Sequence, residues 1–142
     1  MPARSSTPEL LVDTSVAVAL SVADHEHHAE TSQALGRRRL GLAGHAAFET
    51  FSVLTRLPIP ARRSPMIVGR LLATNFPGTR FLDERATAAL LADLGNLAIA
   101  GGAVYDALVG VCAKEHGLAL ATRDRRALET YRTLGVQVEL LD

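Results

Sequence analysis

The stretch Leu10-Leu11-Val12-Asp13-Thr14-Ser15 holds three apolar residues, followed at once by a carboxylate and two hydroxyl side chains. An apolar run without alternation indicates a strand that is buried on both faces, as the strands of parallel sheets are. Thr14 or Ser15 can cap a helix that follows directly, over residues 16–22. The stretch therefore predicts a strand–helix unit with Asp13 at the end of the strand.

The same alternation of short apolar strands and longer helical patterns continues along the chain. Further strands are predicted over residues 40–43, 81–82, 118–121 and 136–140. Helices are predicted over residues 25–35, 46–56, 66–73, 104–115 and 124–134, and from Asp83 to the Gly101-Gly102 pair. This order predicts an α/β fold with a short, mostly parallel central sheet flanked by helices.

A length of 142 residues favours one domain that spans the whole chain. Within it, residues 1–9 are expected to form a flexible N-terminal extension. The single cysteine, Cys112, excludes an intrachain disulfide framework and a thiolate zinc cluster. The sequence shows neither a signal-peptide pattern nor a membrane-spanning apolar run, so we expect a cytoplasmic protein without a membrane partner.

The charged residues balance, with 15 basic and 15 acidic side chains and a formal net charge of zero. The simplest sign of a nucleic-acid partner, a strongly basic domain, is therefore absent. A neutral total can still hide segregated charge, so the total does not exclude nucleic acid. The position of each charge along the chain is more informative than their sum.

Two carboxylates stand next to predicted strands. Asp13 directly follows the first strand, and Asp124 follows the strand over residues 118–121 within Thr122-Arg123-Asp124. Ligands of parallel α/β sheets bind at the carboxyl ends of the strands. Both residues can equally cap the helix that comes next, and the pattern leaves this alternative open.

A third carboxylate, Asp106, lies on a helix that is apolar on nearly every side. Such a helix is usually buried, and an unpaired buried carboxylate is costly, so Asp106 needs a cation, a donor or a proton. Glu49 lies away from the apolar stripe of its own predicted helix. Taken alone, Glu49 is more often a solvated residue, and its interest comes from the set of four acids.

Four carboxylates at one end of a sheet would repel each other unless a divalent cation or protonation relieves the repulsion. Oxygen ligands, without cysteine or a well-placed histidine pair, select hard ions, namely Mg²⁺ or Mn²⁺. In proteins such ions polarise phosphate groups and activate water. The set therefore favours metal-dependent chemistry on phosphate esters.

Four motifs occur in a characteristic order: Leu11-Val12-Asp13-Thr14-Ser15, then Glu49, then Tyr105-Asp106-Ala107-Leu108, then Thr122-Arg123-Asp124. Together they resemble the PIN-domain ribonucleases and, within these, the VapC toxins of bacterial toxin–antitoxin pairs. The likeness extends from about residue 10 to residue 141. It implies a PIN-like domain and metal-dependent endonucleolytic cleavage of RNA phosphodiester bonds.

The resemblance also implies roles for individual residues. Asp13, Asp106 and Asp124 are expected to bind the metal, Mg²⁺ or Mn²⁺, and Glu49 to complete the catalytic set as the fourth acid. Thr14 and Thr122 match flanking positions that hydrogen-bond the ligands or a metal-bound water; helix capping is an equally open alternative. The family further implies a homodimer, and an antitoxin protein whose C-terminal segment covers the active site.

Several other residues are compatible with more than one role. Arg123, Arg125 and Arg126 surround Asp124 and are candidates for contacts to RNA phosphates. Tyr105 can pack or stack on a base, and Phe48 can serve the core or an antitoxin groove. The segment over residues 57–81 matches no motif of the family, so it leaves the choice of RNA undetermined.

Two other functions are compatible with parts of the pattern. A non-catalytic α/β interaction module would use the carboxylates only to cap helices or to pair with arginine. A phosphatase would use Asp13 as nucleophile at the strand end. The common phosphatase pattern has a second aspartate two residues later, and this chain has Ser15 there.

Overall fold

A computed structural model describes residues 9–141 and contains four strands and seven α-helices. The strands are β1 (Glu9–Val12), β2 (Arg39–Leu42), β3 (Leu120–Thr122) and β4 (Val138–Leu140). The helices are α1 (Thr14–Ser21), α2 (His28–Leu35), α3 (His45–Thr55), α4 (Pro65–Asn75), α5 (Glu84–Asp93), α6 (Ala103–Glu115) and α7 (Leu128–Thr133). A 3-10 turn, Arg125–Ala127, leads into α7. No helix among these is long and apolar enough to cross a membrane.

The strands form one parallel sheet in the order β2-β1-β3-β4, which confirms the predicted α/β fold. The first strand is central and pairs with β2 on one side and with β3 on the other. Its residues alternate between two cores: Leu11 packs in a cluster with Tyr131, whereas Val12 packs in a second cluster with Leu35. Burial of both faces explains why its sequence is apolar without alternation.

The first described residue, Glu9, belongs to β1, so the expected N-terminal extension does not include it. Its carboxylate pairs with the guanidinium groups of Arg39 and Arg80. The strand starts one residue early because Glu9 pairs with Arg39 in the parallel ladder. The remainder of the expected extension, residues 1–8, lies outside the described residues.

The strand predicted over residues 81–82 is wrong. In its place the preceding residues follow the free edge of β2: Gly78 donates its backbone N–H to the carbonyl of Leu40, and Arg80 donates to that of Leu42. A single bridge, Ala43 to Arg80, results. The chain leaves this edge after Arg80 because Asp83 already caps α5.

The second helix begins at His28 and not at residue 25 as predicted. The backbone N–H of His27 donates to Nδ1 of His25 at 3.1 Å. A side chain that accepts from a backbone N–H two residues on competes with helix formation, which explains the late start. This turn does not affect the carboxyl end of the sheet.

Gly41 in β2 permits a close backbone approach that any side chain would prevent. A Cβ atom at residue 41 would lie 2.1 Å from the carbonyl oxygen of Gly78. By contrast, a Cβ atom at Gly69, in α4, would meet no atom within 4 Å. The two glycines therefore offer a matched pair of substitutions.

We expect Gly41→Ala to lower the free energy of unfolding by about 1–3 kcal/mol or more, because the backbone of one segment must move. Gly69→Ala should leave the free energy of unfolding unchanged or raise it by up to about 1 kcal/mol, because alanine has a higher helix propensity than glycine. Urea unfolding followed by circular dichroism measures both. Equal stability of the two variants would contradict the close approach.

Candidate active site

All four predicted acids line one small cavity at the carboxyl end of the sheet. Its volume is about 100 Å³, and its walls are formed by Asp13, Thr14, Ser15, Glu49, Asp106, Val109, Asp124 and Tyr131. The acids come from four elements of the chain: the end of β1, helix α3, helix α6 and the turn after β3. Strand ends and helix starts thus bring together residues that lie up to 111 positions apart in the sequence.

Asp13 is the most buried of the four acids, with 5% of its surface exposed. Its Oδ1 accepts hydrogen bonds from the Ser15 hydroxyl at 2.5 Å and from the Val16 backbone N–H at 3.3 Å. Its Oδ2 accepts from the Tyr131 hydroxyl at 3.1 Å. Burial raises the pKa of Asp13, and these hydrogen bonds, the one from Ser15 foremost, act in the opposite direction.

Helix capping and the site share the same carboxylates. Asp13, and neither Thr14 nor Ser15, is the N-cap of α1, and Asp124 is the N-cap of the 3-10 turn through the Arg126 backbone N–H. Helix capping and a place in the site are therefore not exclusive for these two aspartates. Each aspartate uses one oxygen for the cap and still faces the cavity.

The two threonines hold the acids from the side. The Thr14 hydroxyl donates to Oε1 of Glu49 at 3.2 Å, which ties α3 to the start of α1. Thr122 is fully buried, and its hydroxyl oxygen accepts the backbone N–H of Asp124 at 3.0 Å. Thr14 therefore orients Glu49 directly. Thr122 fixes the backbone of Asp124, and a hydrogen bond from its side chain also helps to lower the pKa of Asp13.

Burial and the charges of the other three acids both disfavour the ionised form of Asp106. Burial, followed by the charges of Asp124, Glu49 and Asp13, raises the pKa of Asp106 to about 6. The nearby guanidinium of Arg126 acts in the opposite direction. An acid that titrates near neutral pH among three other carboxylates shows that the cavity concentrates negative charge.

The donor chemistry of the cavity fits a hard divalent cation, since its four acidic side chains repel each other and the other polar side chains that line it are hydroxyls. Their arrangement is less complete. Within residues 9–141, no three histidine, cysteine, aspartate or glutamate side chains stand where they could already hold one ion. Asp13, Asp106 and Asp124 are thus gathered around one cavity, and the carboxylates of Asp106 and Asp124 would need to turn toward that of Asp13 to share a metal.

The three arginines around Asp124 have different surroundings. Arg126 is 94% exposed, and its Nε lies 3.4 Å from Oδ1 of Asp124. Arg123 donates from its backbone to the Ser15 hydroxyl at 2.9 Å and from its side chain to Thr31 at 3.2 Å. Arg125 is also exposed. Arg126 therefore stands at the rim of the cavity, and Arg123 joins the turn to α1 and α2.

Sequence reasoning missed Ser15 and Tyr131 as residues that hold Asp13. Tyr131 is 1% exposed, and 118 positions separate it from Asp13, so no local motif marks it. The one available signal is Gly110 in α6, where a Cβ atom would lie 3.0 Å from the Tyr131 ring. The missing side chain makes room for that ring beneath the cavity.

The aromatic residues near the site lie at the surface. Tyr105 is 50% exposed and stacks on the His45 ring, with 4.9 Å between the ring centroids. Phe48 is 66% exposed, so it does not serve the core; its ring lies beside that of Phe81, with 6.1 Å between the centroids. Its position on the outer face of α3 explains this, because α3 buries Ala46, Thr50 and Leu54 instead.

The fold, the four acids and their order along the chain define a class. Residues 10–133 match the sequence model of the PIN domain, and the chain belongs to this family.

Its relatives include two ribonucleases of Mycobacterium tuberculosis. Ribonuclease VapC27 is 49% identical over 131 residues, which cover 92% of this chain and 96% of the relative. Ribonuclease VapC40 is 47% identical over 131 residues, which cover 91% and 96%. At this identity and coverage the two relatives match the chain over nearly its whole length.

Solved structures share the fold at lower identity. The chain is similar to the DNA-bound VapBC of Salmonella typhimurium, with a TM-score of 0.67, 20% identity and coverage of 95% of this chain and 99% of the other. It is also similar to VapC20 of Mycobacterium tuberculosis, a toxin that cleaves the sarcin–ricin loop, with a TM-score of 0.59, 17% identity and coverage of 80% and 86%. These likenesses show a common fold.

The raised pKa of Asp106 leads to a prediction about stability. The ionised carboxylate is disfavoured in the fold, so its cost is complete above pH 6 and disappears below the ordinary value of 3.8. With a chelator present, Asp106→Asn should therefore raise the free energy of unfolding at neutral pH by about 1 kcal/mol, after allowance for solvent screening. Thermal unfolding at several pH values measures the difference.

The matched control is Asp24→Asn, the same change at an exposed carboxylate in the loop after α1. It should alter stability by less than about 0.5 kcal/mol. A strong loss of stability in Asp106→Asn at neutral pH would contradict the repulsion and would indicate a structural ion pair at this residue.

The contact between Tyr131 and Asp13 leads to a second prediction. Tyr131→Phe removes only the hydroxyl and leaves Oδ2 of a buried carboxylate without its donor. The free energy of unfolding should fall by about 1–3 kcal/mol. Tyr105→Phe, which removes an exposed hydroxyl, should change it by less than about 0.5 kcal/mol in the same denaturant titration. Equal effects of the two variants would show that the hydrogen bond contributes nothing.

Proposed function

We propose that this PIN-domain protein is a metal-dependent endoribonuclease and acts in the cytoplasm as the toxin of a VapBC toxin–antitoxin pair. The observation that carries the proposal is the cavity in which Asp106, with its pKa near 6, meets Asp13, Glu49 and Asp124. Its relatives named ribonucleases, identical to it at nearly half of the aligned positions, support RNA as the substrate.

Asp13, Asp106 and Asp124 are the residues that would hold Mg²⁺ or Mn²⁺. When bound, such an ion polarises the phosphate, lowers the pKa of water and stabilises charge on the leaving oxygen. Neutralisation of the carboxylates by a cation would also relieve the repulsion that raises the pKa of Asp106. The charge of the cavity and membership of the family therefore both support a metal requirement.

The other residues of the cavity orient the acids. Ser15, Val16 and Tyr131 fix both oxygens of Asp13, so its carboxylate cannot turn freely. Thr14 holds one oxygen of Glu49 and leaves the other free to accept a proton. Glu49 is therefore the group we assign to take the proton of the attacking water.

The reaction that fits this arrangement is hydrolysis of a phosphodiester. The water oxygen bonds to phosphorus, its proton passes to Glu49, and the bond from phosphorus to the 3′-oxygen breaks. The leaving 3′-oxygen takes up a proton from solvent, and Glu49 then returns its proton to solvent. The products are a 5′-phosphate and a 3′-hydroxyl, so the reaction needs no 2′-hydroxyl as nucleophile.

A toxin of this class needs an antitoxin partner, and we propose one here together with a homodimer. The solved structures with the same fold include VapBC complexes, which supports an antitoxin. The exposed rings of Phe48 and Phe81 lie 6.1 Å apart beside the site, which supports a protein contact on this face. The RNA itself is accepted at the acidic cavity.

Substitution of the acids tests the proposal. Asp13→Asn and Asp106→Asn should each lower the rate of metal-dependent RNA cleavage by at least about 100-fold, because each removes a charge that would hold the cation. Cleavage of total RNA with added Mg²⁺ or Mn²⁺ is followed on a gel, and the new ends are mapped for a 5′-phosphate. The control Asp24→Asn should cleave at the wild-type rate.

Undiminished cleavage by both variants would rule out the assigned site. Calorimetry of Mn²⁺ binding distinguishes the proposed nuclease from the rival function, a non-catalytic interaction module. The proposed nuclease should bind Mn²⁺ saturably, and Asp106→Asn should weaken that binding. A wild-type protein that neither binds Mn²⁺ nor cuts RNA would establish the rival.

A further inference from the structure

A long segment in the middle of the chain carries charge of one sign. Residues 50–82 contain five arginines and no acidic residue. A chain of zero net charge therefore holds five positive charges in this segment, and an equal negative surplus in the rest. It includes residues 57–81, which match no motif of the family.

The structure shows that four of these arginines are not neutralised. They lie at the end of α3, in the loop that follows and on α4, and we name them the arginine arm: Arg56, Arg62, Arg63 and Arg70. Arg56, Arg62 and Arg70 are exposed. Within residues 9–141, none of the four has a carboxylate at salt-bridge distance. Arg56 and Arg62 donate only to a hydroxyl and a carbonyl.

Three other arginines of this protein form salt bridges with glutamates. Arg38 pairs with Glu139 at 2.6 Å, and Arg39 and Arg80 both pair with Glu9. The fold thus uses ion pairs where arginine supports the sheet. The exposed guanidinium groups of the arginine arm, which have no carboxylate at salt-bridge distance among residues 9–141, are available to an external anion.

One face of α3 connects the arm to the acidic cavity. Glu49, Ser52 and Arg56 are spaced three and four residues apart, so they share this face. Ser52 and Arg56 are in contact, since Arg56 Nε donates to the Ser52 hydroxyl at 3.3 Å. The seven steps from Glu49 to Arg56 span about 10 Å of helix. The arm therefore begins within a few nucleotides of the bond to be cut.

We propose that the arginine arm binds the RNA backbone on one side of the scissile phosphate. This inference rests on the proposed function and adds to it the surface that positions the substrate. Guanidinium groups recognise phosphate oxygens with paired hydrogen bonds, and such contacts position a strand without reading its bases. The arm thus provides the RNA affinity that the acidic cavity, which repels phosphates, cannot provide.

The arm also exposes Ile59, Met66 and Ile67, which raises the question of a protein partner. The charges favour RNA. A protein would need acidic residues opposite four separate arginines, whereas every nucleotide of RNA supplies one phosphate. If the arm instead bound a protein, substitution of its arginines would leave RNA binding unchanged.

The test compares two triple variants with the same change of net charge. The first carries Arg56→Gln, Arg62→Gln and Arg70→Gln; the second carries Arg37→Gln, Arg85→Gln and Arg132→Gln, three exposed arginines outside the arm. A labelled single-stranded RNA of random sequence is titrated with each protein, and fluorescence anisotropy reports binding. A chelator prevents cleavage. Thermal unfolding confirms that both variants are folded.

We expect the arm variant to bind RNA at least about tenfold more weakly than the wild type at about 0.1 M salt, because three phosphate contacts are lost. A plot of log affinity against log salt has a negative slope, and each phosphate contact to a single strand contributes about −0.7 to it. Loss of three contacts should therefore make the slope less negative by about 2. The control variant should stay within about twofold of the wild type.

Equal losses in the two variants would overturn the proposal, because they would reflect net charge alone. Unchanged RNA binding by the arm variant would overturn it as well and would assign Ile59, Met66 and Ile67 to a protein partner. Failure of the proposed function looks different: wild-type protein would bind RNA through the arm and would not cut it with Mg²⁺ or Mn²⁺.

Discussion

The structure depends on keeping one carboxylate, Asp13, buried at the end of its central strand. A buried carboxylate is stable only with several donors, and the fold supplies them from both ends of the chain. Ser15 and Val16 come from the helix that follows, and Tyr131 comes from α7. Arg123 then ties its backbone to Ser15, so the turn after β3 is fixed to the same point. The network that stabilises the acid also joins the N- and C-terminal parts of the sheet.

The other three acids lower the stability of the folded protein, and the same negative charges are the ones that would bind a cation. Asp106, Asp124 and Glu49 face Asp13 across a cavity too small to hold their charges far apart, and burial together with this repulsion raises the pKa of Asp106. A binding cation or a proton relieves this repulsion, so the free protein is poised to take up either. Stability and activity thus compete within a cavity of about 100 Å³.

The local parts of this arrangement could be predicted from the sequence, and the tertiary parts could not. Unbroken apolar runs predict β1 and β3 because parallel strands are buried on both faces, and strand ends then place Asp13 and Asp124. Asp106 is identified from the sequence because a carboxylate on an apolar helix is costly to bury without a partner. Tyr131 is not found, since its partner is 118 residues away. The strand expected at residues 81–82 fails because two apolar residues do not show whether a neighbouring strand is within reach.

The segment that lies along β2 has a consequence for how copies of the protein meet. A strand at the edge of a sheet offers unpaired N–H and C=O groups to any other chain. Here Gly78 and Arg80 occupy the carbonyls of Leu40 and Leu42, and the contact of Gly78 with Gly41 leaves no room for another strand. The sheet is thereby closed to extension on this side. Copies can associate there only through side chains, which protects the protein against edge-to-edge aggregation.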